Sequence, residues 1–369
     1  MALLAQYPFM ERDPSPMAFA IPEYSKRKVD EAGNVLSRAN DFSDIQQYEA
    51  SEILANWRAC HLYPINTFQA TLRAKLKHGY GPSIVAQRLK RAPSIIAKLQ
   101  RFDSMALSRM QDIGGLRAVL ETVSEVRKLE TSYREAGFAH KLKSFKDYIK
   151  HPKDDGYRSV HLIFKYKNNR APEYDGLCLE LQLRTYRQHA WATAVETMGT
   201  FLGQALKSGR GDTQWRDFFT IASAALATVE QAAPVPRFEN INRDDLFSAL
   251  SIAEQELKVF KRLQGFAVAA DHINTVRGRG AYHLITLDSQ NRTVHITPYA
   301  RSSLKQANID YAAAEERTKA GEHIEAVLVA AGPIKSLRSA YPNYFLDTQL
   351  FVEEMQKIIR SAKRQKKNT

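Results

Sequence analysis

Cysteine is almost missing from this chain: Cys60 and Cys178 are the only two among 369 residues. Two thiols cannot build a disulfide framework or a structural zinc site made of Cys pairs, and their scarcity fits a reducing cytoplasm. Long apolar runs are missing too. No stretch approaches the roughly 18–20 consecutive apolar residues that a membrane span needs, so no membrane association is expected. The first residues, MALLAQYPFMERDPSP, lack the basic start and long apolar core of a signal peptide. Acidic charge is in the minority, with 40 acidic against 53 basic residues and a net charge of +13. That excess favours a polyanionic partner, and a triphosphate or an RNA would satisfy it equally.

What is present is three short blocks in a fixed order: QDIGGLR (111–117), KDYIKHPKDDGYRSVH (146–161) and LELQLRT (179–185). The first carries a carboxylate, Asp112, and a cation five positions on, Arg117. The second is rich in lysine and ends in Gly156-Tyr157-Arg158-Ser159. Glycine lets backbone approach a ligand closely, and the tyrosine ring offers a face for stacking. In the third, strand alternation places Glu180 and Gln182 on one face. Two carboxylates 68 residues apart, each at a strand end, are a usual way to hold a magnesium–triphosphate. Taken singly, Asp112 could be a turn cap, Glu180 an exposed strand residue and His161 a core histidine. Their ordered combination favours chemistry.

These blocks resemble the synthetase domain of the RelA/SpoT family of alarmone synthetases, which move the β,γ-pyrophosphate of ATP onto a ribose 3′-hydroxyl. A fourth block, Arg88-Leu-Lys90 with Ser94, Ile95 and Lys98, is similar to the family's ATP-binding segment; its alternative is a solvated basic helix face. The likeness spans roughly residues 50–235. It implies that Asp112 and Glu180 hold Mg²⁺, with Glu180 alternatively the general base and Gln182 beside it in the catalytic set. Arg88, Lys90, Ser94, Lys98 and Arg117 would bind ATP, the two arginines sandwiching adenine. Lys146, Lys153, Tyr157, Arg158 and His161 would meet the acceptor, with Tyr157 stacked on its base and His161 near phosphate. His189 and Trp191 are as consistent with packing as with catalysis.

The expected fold is α+β: a mixed-sheet, nucleotidyltransferase-like synthetase domain flanked by helices, plus a smaller C-terminal α/β domain. A chain of this length exceeds what one core usually supports. Residues 1–42 read as an arm and first helix, 43–235 as the synthetase domain, 236–265 as a connecting helix and 266–369 as a regulatory domain. Helical periodicity runs from Asp44 to Gly79 with a turn at Pro64, and Asp244 reads as an N-cap. Strand-like runs follow Leu116, and YHLITLDSQNRTVHITPY reads as a hairpin.

The C-terminal third contains Tyr341-Pro-Asn-Tyr344. It resembles the antitoxin-like part of fused toxin–antitoxin alarmone-synthetase homologues of the CapRel type. In those proteins such tyrosines close the active site, the acceptor is the 3′ end of tRNA, and a phage capsid protein releases the block. Tyr341 and Tyr344 are accordingly expected to be regulatory; two tyrosines packing a local core is the plainer alternative. Three functions compete: a self-inhibited tRNA pyrophosphokinase, a synthetase using GDP or GTP, and a catalytically dead RNA-binding module.

Overall fold

The computed structural model describes residues 19–365, apart from 136–137, 203–205, 207–210, 267–279, 289–292, 321, 323 and 331–343. Three helices lead the chain: α1 (Lys26–Ser37), α2 (Asp44–Ala59) and α3 (Leu62–Leu76). Ser43 opens α2 with a reciprocal capping box to Gln46, which satisfies backbone donors that a helix start leaves orphaned. The break between α2 and α3 lies at Cys60 and His61, earlier than the Pro64 expected. Pro64 instead sits in the first turn of α3, where a missing N–H removes no intrahelical bond.

A five-stranded mixed sheet then forms in the order β1-β2-β5-β4-β3. The strands are β1 (Ile84–Leu89), β2 (Gly114–Leu120), β3 (Lys141–Asp147), β4 (Val160–Lys165) and β5 (Cys178–Thr185). Only β2 and β5 run parallel; β1–β2, β5–β4 and β4–β3 are antiparallel. Between strands lie α4 (Ala92–Arg101) and α5 (Val123–Arg134). The segment 88–98, whose alternative was one basic helix face, is therefore a strand end, a turn and a helix. Pro93 enforces this by standing within the first two positions of α4, where it is tolerated.

Alternation divides the sheet into two faces. Leu116, Ala118, Leu162, Phe164, Leu181 and Leu183 are buried in a core shared with Phe68, Leu72, Val126 and Leu129 of the covering helices. Each such leucine, valine or phenylalanine side chain contributes about 1.5–3 kcal/mol when fully buried. The opposite face carries the polar residues.

Beyond β5 the chain turns directly into α6 (Tyr186–Phe201), because Thr185 ends the strand and also caps the helix in a box with Gln188. α7 (Thr213–Val229), α8 (Arg243–Leu257) and α9 (residues 259–266) follow. Lys258 adopts a left-handed conformation and separates the last two. The cap of α8 is Asn242, whose side chain accepts from the Asp245 amide, so Asp244 is a first-turn residue and not the expected N-cap.

A three-stranded antiparallel sheet, β7-β6-β8, comprises β6 (Tyr282–Asp288), β7 (Thr293–Tyr299) and β8 (Ile324–Ala330). α10 (Leu304–Lys319) packs on it, and α11 (Tyr344–Gln365) closes the described chain. A second core joins Trp191, Phe201, Phe218, Leu250, Leu263 and Phe266 to Ile285 of β6 and to Phe351, Met355 and Ile358 of α11. The limits expected at 235 and 265 both fall within stretches that share this core. Among the described residues no helix is long and apolar enough to cross a membrane.

Candidate active site

Strand register gathers the predicted residues into two adjacent rows on the polar face of the sheet. In one row Arg88 pairs with Gly115, and Gly115 with Glu180. In the next, Arg117 pairs with Gln182, Gln182 with His161, and His161 with Lys146. Gly115 carries no side chain between Arg88 and Glu180, so the floor there stays open. A cavity of about 190 Å³ results, lined by Arg88, Asp112, Arg117, His161, Glu180 and Gln182 among others.

Asp112 stands just before β2 and is clamped by two ammonium groups. Lys90 Nζ lies 2.9 Å from one carboxylate oxygen and Lys98 Nζ 2.9 Å from the other. Burial alone would raise its pKa, but the two lysines outweigh burial and hold it below the ordinary value. Glu180 is also pushed up by burial and held low on balance, by the hydrogen bond and charge of His161. Its second oxygen accepts from Gln182 Nε2 at 2.8 Å. Both carboxylates are thus ionised at neutral pH.

That donor set fits Mg²⁺, a hard cation that takes oxygen ligands and keeps water and phosphate oxygens in its shell. No cluster of three or more His, Cys, Asp or Glu suited to a metal occurs among the described residues. Asp112 and Glu180 would supply the protein's share.

Tyr157 and His161 form the wall between this cavity and a larger one. The Tyr157 hydroxyl lies 2.8 Å from His161 Nε2. Burial would raise the phenol pKa, yet His161 and Arg184 bring it down to about 8. Beyond Tyr157 opens a cavity of about 500 Å³, lined by Lys153, Asp155, Trp191, Arg216, Phe219 and Arg237 among others. Lys153 Nζ stands over the Tyr157 ring at 5.1 Å and over the Tyr148 ring at 4.7 Å. Trp191 is fixed by its indole N–H donating to the Phe219 carbonyl at 2.7 Å.

Other expected site residues lie elsewhere. Arg158 is buried and turned away from both cavities: Nη1 reaches Glu230 at 2.5 Å and Nε reaches Ser223 at 3.2 Å. Two of its three nitrogens hold the loop in place, and the side chain lines neither cavity, unlike the acceptor contact expected from the sequence. Gly156 beside it has φ +85°, and an added Cβ would meet Ser223 Cβ at 2.8 Å, so this turn requires glycine. Ser94 is half-buried in the first turn of α4 and does not line the cavity. Lys146 belongs to β3 in register with His161 rather than to the loop. His189 is buried in α6. Tyr341 lies outside the described residues, as does the Tyr344 side chain.

Glu230, Arg216, Phe219 and Arg237 were not anticipated. They come from α7 and its surroundings, some 55–80 positions beyond the loop, and no local pattern marks them.

Two ionised carboxylates and a cationic rim on a mixed α+β sheet define a polyphosphate-handling class of site. Residues 87–199 match the family model described as "Region found in RelA / SpoT proteins". The chain therefore carries a RelA/SpoT-type domain. It is 30% identical over 124 residues to the GTP pyrophosphokinase YwaC of Bacillus subtilis (strain 168), a match covering 32% of this chain and 59% of that protein. It is 32% identical over 119 residues to the GTP pyrophosphokinase YjbM of the same organism, covering 31% and 54%. The chain thus spans little more than half the length of these curated relatives. The crystal structure of the small alarmone synthetase 1 from Bacillus subtilis bound to its product pppGpp aligns with a TM-score of 0.40 at 23% identity, covering 47% of this chain and 90% of that one.

Proposed function

We propose that the chain is an ATP-dependent pyrophosphokinase that transfers the β,γ-pyrophosphate of ATP to a ribose 3′-hydroxyl. The observation that carries this reading is the gathering of two low-pKa carboxylates, Asp112 and Glu180, with Arg88 and Arg117 around one cavity, while Lys90 and Lys98 clamp Asp112. Arg88 and Arg117 rim the cavity from adjacent strands and offer planar cations for adenine. Lys90 and Lys98 meet the triphosphate and leave Asp112 as they do so. Asp112 would hold Mg²⁺, with Glu180 either its second ligand or the general base, and the ion would supply neutralisation of phosphate charge. Glu180 receives the proton of the attacking hydroxyl while Gln182 fixes its second oxygen. The hydroxyl attacks the β-phosphorus in line, and AMP leaves. Positioning and charge neutralisation supply the rate.

The acceptor's base takes the larger cavity, replacing Lys153 over the Tyr157 ring. We assign the acceptor as the 3′ end of tRNA, whose modification would halt translation; the net charge of +13 suits such a polyanion. GDP or GTP is the second reading, favoured by the relatives named GTP pyrophosphokinase. Control by the C-terminal region is supported by the seat of α11; its relief by a phage capsid protein in antiviral defence rests on the resemblance to CapRel-type proteins alone. That helix packs on α6, and its Glu354 bonds Arg187 at 2.6 Å, four residues before the cavity-lining Trp191.

Incubating the full chain with γ-labelled ATP and tRNA, GDP or GTP in parallel tests the assignment. Label is expected in tRNA and should vanish when the terminal 3′-hydroxyl is oxidised. Label in GDP or GTP alone would replace tRNA by the second reading.

A further inference from the structure

His161 touches both groups on which acceptor placement depends. Its Nδ1 lies 2.9 Å from Glu180 Oε1 and its Nε2 2.8 Å from the Tyr157 hydroxyl. An imidazole offers two nitrogens, and both are engaged. The ring is also gripped edge-on by Tyr148 and Tyr157, at centroid distances of 5.3 and 5.7 Å. On the far side of the carboxylate, Gln182 donates to Glu180, and Arg184 donates to Gln182 at 2.7 Å. One hydrogen-bonded line therefore runs from Tyr157 through His161, Glu180 and Gln182 to Arg184. Both nitrogens of His161 are committed to this line.

We propose that His161 is a positioning residue that yokes the Tyr157 ring to the Glu180 carboxylate, holding the acceptor's base platform and its proton acceptor in one rigid frame. The inference rests on the reading of these two residues given above, and it replaces phosphate contact as the role of His161. Register is the reason such a yoke matters. Tyr157 sits on the loop before β4 and Glu180 on β5, so without a tie their side chains would sample independent rotamers. A misplacement of about 1 Å at a reacting group can cost about 10²-fold in rate.

The charged and titratable groups around the imidazole are few. Tyr157 and Tyr148 face it from the loop, Lys153 lies over both of their rings, and Glu180 and Arg184 come from β5. Asp112, Arg88 and Arg117 share the cavity, and Lys146 is its register partner on β3. Burial opposes a charged imidazole, but Tyr157 and Glu180 together raise its pKa above the ordinary value. The same coupling brings the Tyr157 phenol down to about 8.

Two measurements on the full-length chain test the yoke. In steady-state transfer, His161→Gln and His161→Ala are expected to lower kcat by about 10²-fold while changing the acceptor KM by less than about threefold. A raised KM with kcat retained would make His161 a ligand of the acceptor and overturn the proposal. The second readout needs no activity. Phenolate absorbance of the wild type should show one of its 16 tyrosines ionising near pH 8, a step absent from Tyr157→Phe. In His161→Gln that step should move to markedly higher pH. If it stays in place, the bond to His161 does not govern Tyr157 and the yoke is refuted. Should the wild type transfer pyrophosphate to no acceptor, the proposed function fails, while the absorbance titration still decides whether the line of bonds exists.

Discussion

Removing the Arg158 guanidinium while keeping its bulk, as Arg158→Met, separates a structural role from the acceptor-binding role that the sequence suggested. The side chain is 1% exposed and its partner Glu230 3% exposed, so the pair lies in the interior. Glu230 also accepts from Thr185 Oγ1 and Gln188, and Ser223, which accepts from Arg158, donates to the Gly156 carbonyl at 2.5 Å. Loss of the cation leaves a buried carboxylate without its charge partner, for which breaking buried pairs costs about 3–5 kcal/mol. With about 2.1 cal/mol/K of unfolding entropy per residue, a fully cooperative chain of this length would melt about 4–6 °C lower. If only the helical half around α6–α9 unfolds as a unit, the drop is larger. Arg158→Met with Glu230→Met removes both charges and should recover most of the loss, as apolar replacements of buried pairs often do. The assay is thermal denaturation followed by circular dichroism, alongside acceptor KM. A single variant that melts within about 1 °C of wild type yet shows a large rise in acceptor KM would refute the structural assignment.

Asp112→Asn and Glu180→Gln should each lower transfer by at least about 10²-fold without changing the melting temperature by more than a few degrees; labelled-ATP rates check this. Lys90→Met with Lys98→Met should raise the KM for ATP. It should also let Asp112 bind Mn²⁺ without nucleotide about tenfold or more tightly than wild type, as read by Mn²⁺ electron paramagnetic resonance, since two charge-assisted bonds no longer occupy its oxygens. Tyr157→Ala should weaken the acceptor by the stacking of one base, about 1–3 kcal/mol, whereas Tyr157→Phe should keep KM and lose kcat through its missing bond to His161. In pH titration, the depressed Asp112 and Glu180 contribute stability that is fully present above their ordinary values of 3.8 and 4.5. That contribution is lost as pH falls through the lower folded values, so Asp112→Asn should flatten the acid limb of the stability curve.

Most of the strands were legible because their periodicity is clean. GLRAVL, SVHLIF and LCLELQLR alternate or run apolar, and the two strands of the 282–299 hairpin flank the turn-type sequence Asp288-Ser-Gln-Asn291. β1 was not legible, since IVAQRL is short and leads into a basic run that suits a helix equally well. The placing of Glu180 and Gln182 on one face followed from period two alone. Arg158 was misread because a cation in a cationic loop gives no sign of its partner 72 positions away. The larger cavity was invisible for the same reason: α7 and the turn at Arg237 reach it only through tertiary packing. The bond from Tyr157 to His161 spans only four residues, yet it joins a loop that passes through the positive-φ Gly156 to a strand, a geometry that no sequence period marks.

The proposed reaction transfers an intact pyrophosphoryl group at the Asp112–Glu180 cavity. Phosphorus NMR of the full chain with ATP, Mg²⁺ and each acceptor follows that group from donor to product. AMP is expected in equal amount with a diphosphate ester on the acceptor ribose, and neither product in Glu180→Gln. Release of ADP or free pyrophosphate without any acceptor ester, or an undiminished rate in Glu180→Gln, would contradict the proposed reaction.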